Sequence, residues 1–199
     1  MTKSELKKYF KAPIYMHEEE VPIFCYYASL SKNILVEIGA GYGSSAFLML
    51  ASSPGAHVYS IDPFTGDTMK TWRTSEKICR RNISHALNLI GMGENIKYLH
   101  LCTQTSHQVA IGWNKPIDFL YIDGDHRYEA VKQDFNDWFK HVRSEGTMLL
   151  HDSRRLKNTP ENKFNRGWPG PTMLAEELKN KKDLTLIDEV YSLTIWRKK

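Results

Sequence analysis

The stretch Glu37-Ile38-Gly39-Ala40-Gly41-Tyr42-Gly43 decides the fold class predicted for this chain. It follows a short apolar run at residues 34–38 and precedes a predicted helix at 44–51, whose first residues, Ser44 and Ser45, are suited to capping it. Glycine lets the backbone turn tightly and lets a ligand approach without a Cβ in the way. A strand that passes through such a turn into a helix is typical of a nucleotide-binding site.

The rest of the chain alternates predicted strands with predicted helices. Further strands are predicted at residues 57–61, 96–101, 117–122 and 147–150, and further helices at 75–90, 106–113, 128–142 and 172–180. Two closing strands, 184–190 and 192–197, are joined at Tyr191, and a link this short requires an antiparallel hairpin. The pattern predicts an α/β, three-layer, Rossmann-like fold: a mostly parallel seven-stranded sheet with an antiparallel C-terminal hairpin and helices on both faces.

Length and composition limit the organisation and the partners. The 199 residues suit one core, with a helical lead-in at 1–32, divided by Pro13 and Pro22, and one ligand-binding domain at 33–199. No apolar run approaches the ~20 residues of a membrane span, and residues 1–11 lack the apolar region of a secretory signal. Three widely spaced cysteines indicate reduced thiols, so we expect a cytoplasmic protein without a membrane partner.

The spacing of the glycines and the acid before them indicate which nucleotide is bound. A dinucleotide turn reads G-x-G-x-x-G and places a pyrophosphate on the helix N-terminus, whereas here the third glycine comes one residue early. Glu37 would repel a pyrophosphate but attract the cationic amino group of S-adenosyl-L-methionine (SAM), directly or through water. The turn therefore favours SAM over NAD. Asp62, ending the next strand, is placed to accept hydrogen bonds from the ribose hydroxyls.

Two alternatives remain open at this point. A dehydrogenase would also use an acid at the position of Asp62, so an NAD-type Rossmann oxidoreductase is one alternative function. In the other, the glycines make only a tight turn between strand and helix, and Asp62 only caps the segment that follows.

Three motifs extend this interpretation to a family. Residues 37–43, the stretch Ile61-Asp62-Pro63-Phe64, and Tyr121-Ile122-Asp123-Gly124-Asp125-His126-Arg127-Tyr128 followed by Leu150-His151-Asp152-Ser153 resemble class I SAM-dependent methyltransferases. Within that class they are most similar to methyltransferase family 24, a branch similar to catechol and caffeoyl-CoA O-methyltransferases and to cephalosporin-hydroxylase-like proteins. The resemblance covers roughly residues 30–196.

The resemblance implies a seven-stranded sheet with a reversed last strand, and it implies roles for residues outside the glycine turn. Thr105 and Ser106 would flank the adenine, and Phe64 would lie near the ribose or adenine. The predicted cofactor-binding residues are Glu37, Gly39, Ala40, Gly41, Gly43, Ser45, Asp62, Pro63, Phe64, Thr105, Ser106 and Asp123.

The candidate catalytic residues follow the fourth and fifth strands: Asp123, His126, His151 and Asp152. In one hypothesis Asp123 and Asp152 bind Mg²⁺ or another divalent cation, with Ser153 or His151 alongside, and the cation activates the acceptor hydroxyl. Catechol-type relatives carry Asp-Asn at the second position, where this chain has Asp152-Ser153. In a second hypothesis no metal is needed, and His126 or His151 is the general base.

A third hypothesis gives these residues structural or cofactor-contacting roles only. Asp123 or Asp125 would then cap the helix that begins near Tyr128, and His151 would be a packed residue at a strand end.

A basic stretch at residues 153–170 follows the candidate catalytic residues. It carries five cations against one acid, with two aromatic residues interleaved: Arg154, Arg155, Lys157, Lys163, Arg166, Glu161, Phe164 and Trp168. A loop of this length is often a lid, so it is predicted to close over an acceptor bearing a carboxylate or phosphate. A solvated basic loop is the alternative.

The predicted function is transfer of a methyl group to a hydroxyl oxygen of a small, anionic molecule. A nucleic-acid acceptor is disfavoured because the net charge is only +4 and no Asn-Pro-Pro-Tyr motif follows the fourth strand. The remaining alternatives are the oxidoreductase and a non-catalytic SAM-binding or partner-binding module. A homodimer is the assembly we keep open.

Overall fold

A computed structural model describes residues 1–65, 74–154 and 168–199. Within these ranges the strands are β1 Ile34–Ile38, β2 His57–Ile61, β3 Leu99–Cys102, β4 Ile117–Ile122, β5 Val142–Leu150, β6 Leu184–Val190 and β7 Leu193–Lys198. The α-helices are α1 Lys3–Tyr9, α2 Glu20–Ser29, α3 Ser44–Ser52, α4 Glu76–Leu89, α5 Ser106–Ile111, α6 Tyr128–Trp138 and α7 Pro169–Leu178. No helix in the described ranges has the length and apolar character that a membrane crossing needs.

The strands form one sheet in the order β3-β2-β1-β4-β5-β7-β6. Strands β1 to β5 run parallel, and β7 is antiparallel to both of its neighbours. The predicted Rossmann-like sheet with its C-terminal hairpin is therefore confirmed. Chain order reverses between β1 and β4, and in open α/β sheets ligands bind beyond the carboxyl ends of the strands at such a switch point.

Helices cover both faces of the sheet and form two apolar clusters. Helices α1 to α4 pack on one face and α5 to α7 on the other. Along β4 the side chains alternate between the faces, with Phe119 and Tyr121 in the first cluster and Leu120 and Ile122 in the second. Burial on both faces explains why residues 119–122 of this strand form a continuous apolar run.

The N-terminal lead-in packs into the first of these clusters. Leu6 of α1 and Val21 and Phe24 of α2 are fully buried there, together with Phe47 of α3. Phe24 contacts the rings of Phe119 and Tyr121 edge-on. The start of α2 is therefore held against the centre of the sheet, close to the carboxyl end of β4.

Strand β3 begins later than predicted. Residues Gly93–Tyr98 form a 3₁₀ helix, so β3 starts at Leu99 and not at residue 96. The apolar residues of this segment, Ile96 and Tyr98, pack on the first cluster from the 3₁₀ helix. An apolar pattern of this length does not distinguish the two conformations.

Strand β5 begins earlier than predicted. Helix α6 ends at Trp138, and β5 starts at Val142, which pairs with Ile117. The pairing register then shifts, and Glu145 within the shifted segment has a φ of 62°. This irregularity places polar residues 143–145 in a strand without the usual alternation, which is why the prediction began only at residue 147.

The predicted cap of α3 is wrong. Gly43, with a φ of 93°, is the N-cap residue, and it has no side chain to accept a hydrogen bond. Ser44 and Ser45 are already inside the helix, and Ser45 is buried beside Glu37. The glycine turn thus leads directly into α3.

Candidate active site

The glycine turn brings together the ends of β1, β2 and β4. Gly39 has a φ of 96°, and a Cβ built there would lie 2.1 Å from the backbone oxygen of Asp123. The N–H of Gly41 donates to one carboxylate oxygen of Asp62 over 2.9 Å, and the N–H of Phe64 donates to the other over 2.7 Å. The predicted ribose-binding carboxylate is therefore held in a fixed orientation beside the turn.

Glu37 is a carboxyl group at the end of β1 with no exposed surface. Burial raises its pKa to about 8, although the nearby hydroxyls of Ser45 and Ser60 oppose the shift. Ser60 donates a hydrogen bond to Oε1, whereas Oε2 is buried and has no hydrogen-bond partner among the described residues. A buried carboxyl oxygen without a hydrogen-bond partner is costly, so this atom fits the cationic amino group of SAM.

The remaining predicted cofactor residues, which follow β1 and β2 or lie at the start of α3, differ in exposure. Ala40 and Ser45 are buried, Phe64 is half-buried and Pro63 is exposed. Phe64 has a φ of 51°, a left-handed conformation that turns the chain away from β2 directly after Asp62. These residues line the same end of the sheet as the glycine turn.

Thr105 and Ser106 lie one strand further from the centre, after β3. Thr105 caps α5, and its hydroxyl accepts a hydrogen bond from the N–H of Gln108 over 3.3 Å. Ser106 donates to Asp134, whose pKa burial raises to about 6. Both side chains hold hydrogen bonds within the protein, and their place beside an adenine stays a prediction.

The four candidate catalytic residues form one cluster. Asp123, His126, His151 and Asp152 each offer a ligand atom, and these atoms all lie within 4.8 Å of one another. The neighbouring strands β4 and β5 end in register, with Ile122 beside Leu150, so the residues that follow them are adjacent. Asp152 has a φ of 51°, a left-handed conformation that aspartate tolerates better than most residues.

His151 lies between carboxylates on both sides of its ring. Nδ1 is 3.0 Å from Oδ1 of Asp123 and 3.5 Å from Oδ2 of Asp152, and Nε2 is 3.3 Å from Oε2 of Glu20. Burial opposes the charged form, but the surrounding carboxylates outweigh it and hold the pKa of His151 well above its usual range. Both ring nitrogens therefore face carboxylate oxygens, an arrangement that favours the imidazolium and leaves no free lone pair to act as a base.

His126 is the more accessible histidine of the cluster. Its Nε2 is 3.2 Å from Oδ2 of Asp152, and its ring lies 4.8 Å, between centroids, from the ring of Trp168. Within the described part of the chain Nδ1 of His126 has no hydrogen-bond partner. Donation from Nε2–H to Asp152 selects the tautomer in which Nδ1 carries the lone pair.

The cluster is a poor match for a divalent-cation site. Two carboxylates are present, but Nδ1 of His151 already lies 3.0 Å from Asp123 and 3.5 Å from Asp152, in the position a cation would take between them. The hydroxyl of Ser153 bonds to Leu150 and Thr194 within the sheet, so it does not face Asp123. Mg²⁺ prefers oxygen ligands, and the donors that remain are two carboxylates and one histidine.

Neither Asp123 nor Asp125 caps α6, so this part of the structural alternative is wrong. The carboxylate of Asp125 accepts a hydrogen bond from the N–H of Arg127 and pairs with the Arg127 guanidinium. Arg127 is the N-cap of α6, and no side chain caps that helix. Asp123 instead accepts hydrogen bonds from His151 and from the hydroxyl of Tyr121. Asp125 shapes the turn, and Asp123 belongs to the cluster.

Glu20 is the site residue that the sequence-based prediction missed. It follows Glu18 and Glu19 in an acidic run of the lead-in, and nothing in the sequence distinguishes it from those two exposed residues. Only the packing of α2 against the sheet brings its side chain to His151.

The predicted basic lid lies mostly outside the described residues, which stop at Arg154 and resume at Trp168. Arg154 is 3.6 Å from a carboxylate oxygen of Glu189, and the N–H of Trp168 donates to the backbone oxygen of Asp152. Trp168, where the described chain resumes, therefore lies at the cluster.

Comparison with known proteins places the chain among methyltransferases. A family model described as "Methyltransferase domain" matches residues 36–153. An uncharacterised protein of Acanthamoeba polyphaga mimivirus is 27% identical over 128 residues, which cover 63% of this chain and 54% of that protein. The chain thus spans about half the length of this curated relative.

Solved structures share the fold at low sequence identity. The O-methyltransferase TomG from Streptomyces achromogenes, solved with SAM, is 13% identical, with a TM-score of 0.64 over 98% of this chain and 86% of TomG. An O-methyltransferase from Bacillus cereus, solved with SAH, is 15% identical, with a TM-score of 0.64 over 98% and 90%. An rRNA methylase from Streptococcus thermophilus is 12% identical, with a TM-score of 0.58 over 92% and 98%.

Proposed function

The chain belongs to the methyltransferase family whose model matches residues 36–153, and we propose that it transfers the methyl group of SAM to a hydroxyl oxygen of a small molecule. The buried, unpartnered Oε2 of Glu37 carries this proposal, because it lies at the glycine turn where a cationic amino group is needed to satisfy it. The cluster of His126 and Asp152 beyond the adjacent strands supplies a base for a hydroxyl acceptor.

Three features of the chain support SAM as the cofactor. When bound, SAM supplies a methyl group on a sulfonium centre that is already activated for displacement. Glu37 would accept a hydrogen bond from the amino group, and Asp62, held by Gly41 and Phe64, would accept hydrogen bonds from the ribose hydroxyls. Gly39 lets the turn and the Asp123 loop approach each other closely, because a Cβ there would lie 2.1 Å from the backbone oxygen of Asp123. These contacts orient the cofactor, and orientation is the main contribution an enzyme makes to such a transfer.

His126 is the proposed general base. Nδ1 removes the proton of the acceptor hydroxyl, and Asp152 holds Nε2–H and stabilises the imidazolium that forms. Both nitrogens of His151 face carboxylates, so this ring balances Asp123 and Asp152 and does not take the proton. The proposed mechanism uses no metal, because Nδ1 of His151 already lies between the two carboxylates that would hold one.

The acceptor site lies beside His126. Trp168 packs on the His126 ring and leaves about half of its own surface exposed (47%), and Arg154 lies at the other end of the same segment. An exposed aromatic ring beside the proposed base suits a small acceptor, and the basic stretch that begins at Arg154 is the proposed partner of a carboxylate or phosphate on it.

Methyl transfer from isotope-labelled SAM tests the proposal. The panel contains hydroxylated carboxylic acids and phosphate esters, with ribosomal RNA as a separate arm, since an rRNA methylase shares the fold. We expect label in an O-methyl product of a small acid and turnover that persists in excess EDTA. Activity lost in EDTA and restored by Mg²⁺ would contradict the metal-free mechanism. Label in RNA alone would contradict a small acceptor, and binding of NAD(H) instead of SAM would contradict the cofactor.

Replacing Glu37 by glutamine is expected to weaken SAM binding without destabilising the free protein. Loss of a buried charged hydrogen bond corresponds to about a 10- to 100-fold higher Kd. The pKa of Glu37 in the fold is about 8, above its usual value, so ionising it costs the fold stability as the pH rises from about 4.5 to 8. The glutamine variant avoids this cost, and its Tm at pH 8 should equal or exceed that of the wild type.

The raised pKa of Glu37 also predicts that SAM binding is accompanied by the release of a proton. At pH 7 Glu37 is protonated in the free protein, and a cationic amino group beside it favours the carboxylate, so SAM binding should release about one proton. Calorimetry in buffers of different ionisation enthalpy measures this release. Glu76→Gln, an exposed change on α4, is the control. Unchanged affinity and no proton release in wild type would refute the assignment of Glu37.

A further inference from the structure

Glu20, the first residue of α2, is a buried carboxylate with four hydrogen-bond donors around it. Oε1 accepts from the N–H of Ser192 over 3.0 Å and from its hydroxyl over 2.6 Å. Oε2 accepts from the N–H of His17 over 2.6 Å and from Nε2 of His151 over 3.3 Å. The side chain has no exposed surface, so these four donors take the place of the water molecules that would otherwise hydrogen-bond to the carboxylate.

This carboxylate faces the side of the His151 ring opposite to the catalytic cluster. With Nε2 held by Glu20, Nδ1 points at Asp123 and Asp152, over 3.0 and 3.5 Å. A rotation of the ring would break the contact to Glu20 and move the charge away from both aspartates. The orientation of His151 therefore depends on a residue of the N-terminal lead-in.

We propose that Glu20 is a positioning residue of the active site, which fixes the His151 ring and through it the two aspartates that surround His126. Its catalytic consequence rests on the proposed function. Glu20 and Ser192 both lie outside residues 36–153, so the segments on either side of the matched domain complete the site.

The charge of Glu20 matters, as well as its shape. Burial opposes ionisation, but the hydrogen bonds from His151, Ser192 and His17 outweigh it and hold the pKa of Glu20 below its usual value. A glutamine could accept from Ser192 through its oxygen. Its amide nitrogen would then face two further donors, the His17 N–H and His151 Nε2–H, and would repel both. Glu20→Gln is therefore a near-isosteric change that releases His151.

The first test observes the rings directly in protein labelled with ¹⁵N-histidine. In Glu20→Gln we expect long-range ¹H–¹⁵N spectra to show displaced signals for His151 and His126, while His107, distant on α5, stays unchanged. Glu19→Gln, an exposed neutralisation one residue earlier, should leave all three unchanged. Ser192→Ala, which removes one donor to Glu20, should move the His151 signals less and covers the case in which Glu20→Gln does not fold.

The second test measures turnover of the acceptor found in the labelled-methyl screen. Glu20→Gln should lower kcat by about 10- to 100-fold with the Kd for SAM unchanged, and Glu20→Gln/His151→Gln should be no slower than His151→Gln alone. A merely structural role predicts additive losses. Additive losses, or unmoved His151 signals in both Glu20→Gln and Ser192→Ala, would overturn the inference. Absence of methyl transfer would contradict the proposed function, and the histidine spectra would still decide the role of Glu20.

Discussion

Replacement of His126 by glutamine should lower kcat by about 10²- to 10⁴-fold, the usual contribution of a general base. The Kd for SAM should stay within about twofold, because His126 contacts Asp152 and Trp168 and lies outside the proposed cofactor contacts. Glutamine keeps a donor for Asp152 but has no nitrogen lone pair that can accept the proton. Single-turnover transfer from labelled SAM separates this chemical loss from binding.

His107 offers a matched control for this change. Its Nδ1 lies 2.8 Å from Oδ2 of Asp137, so it forms a histidine–aspartate pair of similar geometry on a half-exposed surface. His107→Gln should leave kcat unchanged. If His126→Gln retained wild-type kcat on the identified acceptor, His126 would not be the base, and a metal-activated or proximity mechanism would take its place.

The choice of His126 over His151 depends on information that the sequence does not carry. Both histidines follow strands that end at the same edge of the sheet, so the sequence leaves either as the base. The structure surrounds His151 with Asp123, Asp152 and Glu20 and leaves Nδ1 of His126 without a partner among the described residues. The difference between the two histidines depends on a contact across 131 positions of the chain, between Glu20 and His151.

The fold could be predicted where a strand is apolar and ends at glycine or aspartate. Strands β1, β2 and β4 have the predicted bounds, because they lie inside the sheet and are followed directly by Gly39, Asp62 and Asp123. The edge strand β6 also has its predicted bounds, up to the short link at Tyr191. Strands β3 and β5 differ from their predicted bounds. A 3₁₀ helix precedes β3, and the pairing of β5 with β4 shifts register near the start of β5. Local irregularity of this kind is set by tertiary packing, which a pattern of apolar residues does not encode.

The same reasoning explains why the cluster could be predicted in part. Asp123, His126, His151 and Asp152 meet because β4 and β5 are parallel neighbours in register, a consequence of the fold class. The position of Glu20 depends instead on how α2 packs, with Phe24 against Phe119 and Tyr121. The order of the strands does not determine where α2 begins in space, so the sequence alone does not distinguish Glu20 from Glu18 and Glu19.

Substituting alanine for Gly39 should destabilise the protein and disrupt the cofactor and catalytic loops together. The φ of 96° is strained for alanine, and the added Cβ would lie 2.1 Å from the backbone oxygen of Asp123, an atom that cannot move aside as a side chain can. Left-handed strain of about 1–2 kcal/mol and overpacking of about 1–3 kcal/mol together predict a loss of roughly 2–5 kcal/mol. For a chain of this size the Tm falls by on the order of 10 °C.

Gly55→Ala separates the two contributions to this loss. Gly55 also has a positive φ, of 86°, but a Cβ there would meet nothing within 4 Å, so only the strain of about 1–2 kcal/mol applies. We expect Gly55→Ala to retain SAM affinity and turnover. Gly39→Ala should lose both at temperatures where it is still folded, because the turn and the Asp123 loop can separate only by displacing Glu37 or the His151 contact. Equal Tm values for the two variants would show that the approach of Gly39 to Asp123 does not constrain the site.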